Sequence, residues 1–191
     1  MRIGVLGGSF DPVHLAHLIV AGAAAEELRL DQLRFVPAAE QPFKPVGHHA
    51  AAVHRVAMLD LALRGHETFV LDEREVRRGG RSYTIDTLRS LRLDLPDDEL
   101  FLLIGADAAR ELPEWREASR IGELAQVVAM SRAGSSGPAS PHIAQSITVP
   151  SLDLSSTAAR QAVREGRSLR NLVPDAVAEY IRNHKLYRSD D

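Results

Sequence analysis

A chain of 191 residues, 45% hydrophobic and 26% charged, has the makeup of one ordinary globular domain with a sizeable core, which excludes disordered and fibrous classes. Its net charge of −3 argues against a nucleic-acid partner, because sequence-independent binding to DNA or RNA needs a basic surface that releases counterions. Cysteine is absent, so disulfides, thiolate metal sites and cysteine nucleophiles are excluded; with no signal-like segment and no bilayer-length apolar run, no membrane association and a cytoplasmic location are expected.

The apolar run 3–6 predicts a buried strand, the stretch Gly7-Gly8-Ser9-Phe10-Asp11-Pro12 a turn, and residues 18–28 an amphipathic helix. In an open α/β sheet that junction lies at the carboxyl edge of the strand, where the incoming helix aims bare N–H groups and its positive dipole end at a ligand. Phosphate is the expected guest. Gly7 and Gly8 allow close approach of the backbone, and His14 and His17, three residues apart, share one helix face.

Residues 33–37 predict a second strand, and the loop 38–49 that follows carries Lys44, a candidate anion contact on the same edge. The helical pattern of 50–63 packs on the sheet, with His54 and Arg55 read as structural or surface residues. A third strand is expected at 68–71, and the charged run 72–78 after it reads as a solvated face. Beyond Gly79-Gly80, a helix over 83–93 starts at Tyr83-Thr84, where Thr84 and Asp86 either stabilise the helix end or mark N–H groups offered to an anion.

Residues 100–104 form the most apolar short run and predict a central parallel strand buried on both faces. It ends in Gly105-Ala106-Asp107, where Asp107 could meet a ribose hydroxyl or a hydrated magnesium ion, or only cap the next helix. Trp115, the single tryptophan, is either core or a stacking platform beside that edge. A fifth strand at 126–130 ends at Ser131-Arg132, followed by an exposed loop over 133–141 and a last strand at 146–149. Ser155-Ser156-Thr157, then a helix over 158–164 carrying Arg160, make a second candidate anion site. A helix over 174–184 closes the chain. The alternation predicts an α/β fold with a doubly wound parallel sheet, as one domain over 1–191 in which 155–191 is a small C-terminal helical part.

Taken together, Gly8-Ser9-Phe10-Asp11-Pro12 with His14 and His17, and Ser155-Ser156-Thr157 with Arg160, resemble the two signatures of the nucleotidylyltransferase superfamily and its Rossmann-like fold. Lys44, Tyr83-Thr84, Gly105 with Asp107, Trp115 and Ser131-Arg132 narrow the resemblance to bacterial nicotinate-nucleotide adenylyltransferases. That resemblance implies transfer of the adenylyl group of ATP to nicotinate mononucleotide, in NAD biosynthesis, with Mg2+ held mainly by ATP phosphates and water and with no metal ligand from the protein. It implies catalytic roles for His14 and His17, with at least one of them protonated in the complex. ATP contacts would come from Gly8, Ser9, Phe10, Ser131, Arg132, Ser155, Ser156, Thr157 and Arg160, and acceptor contacts from Lys44, Thr84, Gly105, Asp107 and Trp115. Ala16 departs from the family glycine, and its methyl group is expected to crowd the adenosine, a misfit worth about 1–3 kcal/mol. The competing readings are a phosphopantetheine or nicotinamide-mononucleotide adenylyltransferase, or a non-catalytic nucleotide-binding sensor; monomer and homo-oligomer both stay open.

Overall fold

The computed structural model describes residues 1–42, 47–132 and 140–188. Six strands, β1 (Arg2–Gly8), β2 (Gln32–Pro37), β3 (Phe69–Leu71), β4 (Glu99–Gly105), β5 (Gln126–Arg132) and β6 (Gln145–Val149), form one sheet in the order β3-β2-β1-β4-β5-β6. Every pairing is parallel, with β1 lying between β2 and β4. The chain therefore turns in opposite directions after β1 and after β4, and a crevice opens at the carboxyl ends of those two strands, as expected of a topological switch point.

Period-two alternation builds both faces of the sheet. Phe101 and Leu103 of β4 join one apolar cluster, with Phe10, Phe35, Met58 and Leu59, while Leu100, Leu102 and Ile104 join the other, with Ile85, Leu88 and Ile121. The first cluster is covered by α1 (Leu15–Glu27), α2 (Ala52–Leu63), α7 (Ser156–Arg164) and α8 (Asp175–Asn183). The second is covered by α4 (Thr84–Asp94), α5 (Ala106–Glu111) and α6 (Ala118–Leu124). Ala159, Ala162, Val177 and Ile181 of the two C-terminal helices are buried in the same core as α1 and α2.

Two local expectations are corrected. The first helix begins at Leu15 rather than at residue 18, with His14 at its N-cap and His17 in its first turn. The charged run 72–78 is no solvated face: it holds a short helix, α3 (Arg74–Arg78), and buries Asp72 and Glu75. Asp72 is paired with Arg34 and Arg74, and Glu75 accepts the hydroxyl proton of Thr87, so each buried carboxyl has partners from other elements.

Candidate functional site

Two cavities open along the carboxyl edge. The first, about 340 Å³, sits at the switch point, floored by Val5–Gly8 positions of β1 and by Leu102–Gly105 positions of β4, and walled by Tyr83, Thr84 and Trp115. The second, about 530 Å³, is polar and lies beside the turn that follows β1, lined by Ser9, Asp11, His17, Thr157 and Arg160. Gln41 lines both, so they adjoin.

The polar cavity brings together the start and the end of the chain. Arg160 donates through one guanidinium nitrogen to the Asp11 carbonyl at 2.7 Å and through the other to Thr157 Oγ1 at 3.3 Å. Its Nε is buried and has no protein partner. Ser156 Oγ donates to the Pro12 carbonyl at 2.8 Å, and Ser155 Oγ accepts the N–H of Ala158 as the N-cap of α7. The three hydroxyls thus fasten the start of α7 to the turn and to itself. What α7 offers an anion is the positive end of its dipole, its first backbone N–H groups and Arg160.

His14 and His17 stack with ring centroids 3.6 Å apart. His17 Nδ1 accepts the backbone N–H of His14 at 3.1 Å, so the neutral ring carries its proton on Nε2, the nitrogen left to serve the cavity that His17 lines. Burial lowers the pKa of His14 to about 4; burial, aided by the neighbouring His14, lowers that of His17 to about 3. Both rings are neutral at pH 7. A proton on His17 Nδ1 would also break the bond to His14.

Below the turn lies a scaffold that sequence reasoning assigned no role in the site. Asp11, 4% exposed, accepts the N–H groups of His49 at 2.7 Å and Ala50 at 3.1 Å, and the Tyr187 hydroxyl at 2.8 Å across 176 residues. Arg55, 1% exposed, donates to the carbonyls of Ser9, Ala38 and Ala50, tying the ends of β1 and β2 together. Burial lowers its pKa, an effect opposed by Asp11. Arg55 shares a helix face with the buried Met58, Leu59 and Ala62, a spacing that marks it as an inward-pointing cation. Tyr187 has no such local signal. Removing its hydroxyl in Tyr187→Phe leaves a buried carboxylate short of one donor, with an expected loss of about 1–3 kcal/mol in urea unfolding; unchanged stability would show that the bond carries no weight.

A Cβ on Gly8 would sit 3.0 Å from the Phe10 ring, which would have to give by a few tenths of an ångström, whereas a Cβ on Gly7 or Gly105 would enter open space. Phe10 is 2% exposed and packs edge-on to His17, supporting the imidazole from below. Trp115 lines the first cavity, and its Nε1–H is buried with no hydrogen-bond partner among the described residues. Thr84 is the first residue of α4 and lines the same cavity. Asp107 lies apart from both cavity walls: its side chain is 94% exposed and paired with Arg110. Ser131 is buried at the end of β5 and lines neither cavity, and its Oγ has no protein partner. Ala16 is buried and also lines neither. Lys44 and the side chain of Arg132 lie outside the described residues, as does most of the loop 133–141. Among the described residues, no group of three or more His, Asp or Glu is placed to hold a metal ion. No helix among them is long and apolar enough to cross a membrane.

The geometry has counterparts among known proteins. Residues 5–162 match the cytidylyltransferase-like family model. A probable nicotinate-nucleotide adenylyltransferase of Thermus thermophilus is 46% identical over 189 residues, covering 98% of this chain and 100% of that protein. One from Synechococcus sp. is 43% identical over 195 residues, covering 97% of this chain and 96% of its own length. Among solved structures, Plasmodium falciparum nicotinic acid mononucleotide adenylyltransferase complexed with NaAD superposes with a TM-score of 0.79 over 97% of both chains at 18% identity, a likeness of fold.

Proposed function

Because the chain belongs to the cytidylyltransferase-like family, we infer that it is a nucleotidyltransferase that moves the adenylyl group of ATP onto nicotinate mononucleotide, giving nicotinate adenine dinucleotide and pyrophosphate in NAD biosynthesis. The observation that carries the reading is the meeting of His17 and Arg160, from opposite ends of the chain, in one polar cavity that adjoins an apolar one walled by Trp115.

The attacking group is the acceptor's own phosphate. Its second pKa is about 6, so at neutral pH it is largely a dianion and needs neither a general base nor a covalent nucleophile. The protein's work is to hold the acceptor phosphate in line with the α-phosphorus and to place donors where negative charge builds as pyrophosphate leaves. The His17 Nε2–H is such a donor, with its tautomer set beforehand by the His14 N–H. Arg160 and the first N–H groups of α7 hold the departing diphosphate. Thr84, the start of α4 and Trp115 hold the pyridine ring.

Asp11, the one carboxylate among the described residues that line the polar cavity, is engaged by two backbone N–H groups and Tyr187. ATP is therefore taken as its magnesium complex, with the ion held by phosphates and water, where it offsets charge on the triphosphate.

Initial rates of pyrophosphate release with ATP and magnesium, compared for nicotinate mononucleotide, nicotinamide mononucleotide and phosphopantetheine, test the assignment. The deamido nucleotide is expected to give the highest kcat/KM. Preference for phosphopantetheine, or nucleotide binding without release of pyrophosphate, would overturn it.

A further inference from the structure

The first cavity contains a titratable group that the reaction above does not use. Glu75 of α3 is 7% exposed, yet it lines the same apolar cavity as Thr84 and Trp115. Its carboxyl accepts the Thr87 hydroxyl at 2.5 Å, and Ser82, whose Oγ accepts the Ala39 N–H, supplies a second hydroxyl. Both hydroxyls belong to the stretch that opens and forms the first turns of α4, so the carboxyl sits against the elements that would grip the pyridine ring.

We propose that Glu75 sets the acceptor preference of this cavity through its charge: neutral, it favours a pyridine carboxylate, and ionised, it shifts the preference toward the uncharged carboxamide. The proposal rests on the assignment of this cavity to the acceptor. A carboxylate ligand and an ionised Glu75 in one apolar cavity repel each other with little water between them, whereas a carboxamide meets no such penalty.

The surroundings leave Glu75 able to take either form. Burial pushes its carboxyl up from the ordinary range, and Asp72 adds to the rise; the Thr87 and Ser82 hydroxyls and Arg78, on its own helix, oppose it. Across the cavity stand Glu111 and Arg116, the latter lying over the Tyr83 ring at 4.8 Å and 3.5 Å from Asp86. Arg74 is committed to Asp72, Ser90 and Asp94, and Arg34 to Asp72, so neither neutralises Glu75 directly.

The test is the ratio of kcat/KM for nicotinate mononucleotide to that for nicotinamide mononucleotide, measured across the whole pH range over which the enzyme stays folded. Where the amide is not turned over, its inhibition constant replaces its KM. Titration of the shared phosphate cancels in the ratio. The wild-type ratio is expected to fall by about fivefold or more across the pH range in which Glu75 ionises, which lies above that of an ordinary carboxyl. In Glu75→Gln, which keeps the hydrogen-bond acceptor and cannot ionise, the ratio is expected to stay flat at the wild-type low-pH value. A wild-type ratio that does not fall, a readout that needs no variant to fold, or a Glu75→Gln variant that keeps the wild-type slope overturns the proposal. Trp115→Ala separates the two layers: it should raise KM for both acceptors about tenfold, and if it leaves both unchanged the cavity is not the acceptor site and the assignment itself fails.

Discussion

Replacing His17 with alanine is expected to lower kcat by about 10²–10³-fold, the usual loss when one preorganised donor is removed from a charge-stabilising site. The donor in question is the Nε2–H, held in place by the His14 N–H on Nδ1 and by the edge contact with Phe10. Because its contribution grows with charge in the transition state, kcat should fall far more than KM for ATP rises. The fold should survive, since α1 keeps its buried Leu18, Ala21, Ala24 and Ala25. His17→Gln is the finer test, because an amide N–H can reach toward the same position; partial recovery would identify hydrogen bonding rather than imidazolium charge as what matters. A His17→Ala enzyme that turns over near the wild-type rate, with folded structure verified by circular dichroism, would remove the imidazoles from the mechanism.

Arg160→Ala is expected to lower kcat/KM for ATP by about 10²-fold or more, with a loss of stability alongside. Each terminal guanidinium nitrogen spends one N–H on the protein, on the Asp11 carbonyl and on Thr157 Oγ1, and keeps a second N–H in the polar cavity that Arg160 lines. Removing the side chain therefore deletes a phosphate donor and loosens α7 from the turn. Arg160→Lys divides the two effects. A lysine ammonium restores one positive charge but not the planar fork that reaches Asp11, Thr157 and an anion together, so recovery should be well below complete. Full recovery by lysine would mean that charge alone suffices and that the geometry described here is incidental.

How far the sequence reveals this site depends on how local each signal is. The strands of the sheet centre are legible because residues such as Leu100, Leu102 and Ile104 on one face, and Phe101 and Leu103 on the other, are all apolar, the mark of a strand buried on both sides. The pairing of the two histidines is legible from their spacing. Their environment is not: the tautomer of His17 depends on a backbone N–H, and the low pKa values depend on burial contributed by the rest of the fold. The start of α1 is hidden because its N-cap is a histidine, outside the usual Ser, Thr, Asp and Asn set.

Long-range pairing explains the remaining differences. Asp72 and Glu75 look like solvated charges until Arg34 and Thr87, far along the chain, are seen against them. The tie from Tyr187 to Asp11 spans nearly the whole chain and leaves no periodicity to read. The hydroxyls of Ser155, Ser156 and Thr157 read as a phosphate cradle; the structure adds bonds that no local pattern reveals, from Ser156 to the Pro12 carbonyl and from Arg160 to Thr157, while Ser156 and Thr157 still line the polar cavity. Asp107, a candidate by position after a strand, points to solvent with Arg110.

The most direct measurement is a crystal structure with a non-hydrolysable ATP analogue and magnesium bound. The account predicts one triphosphate whose oxygens lie within hydrogen-bonding distance of both His17 Nε2 and the Arg160 guanidinium, over the start of α7. A triphosphate bound elsewhere, or one reached by either residue alone, would contradict it.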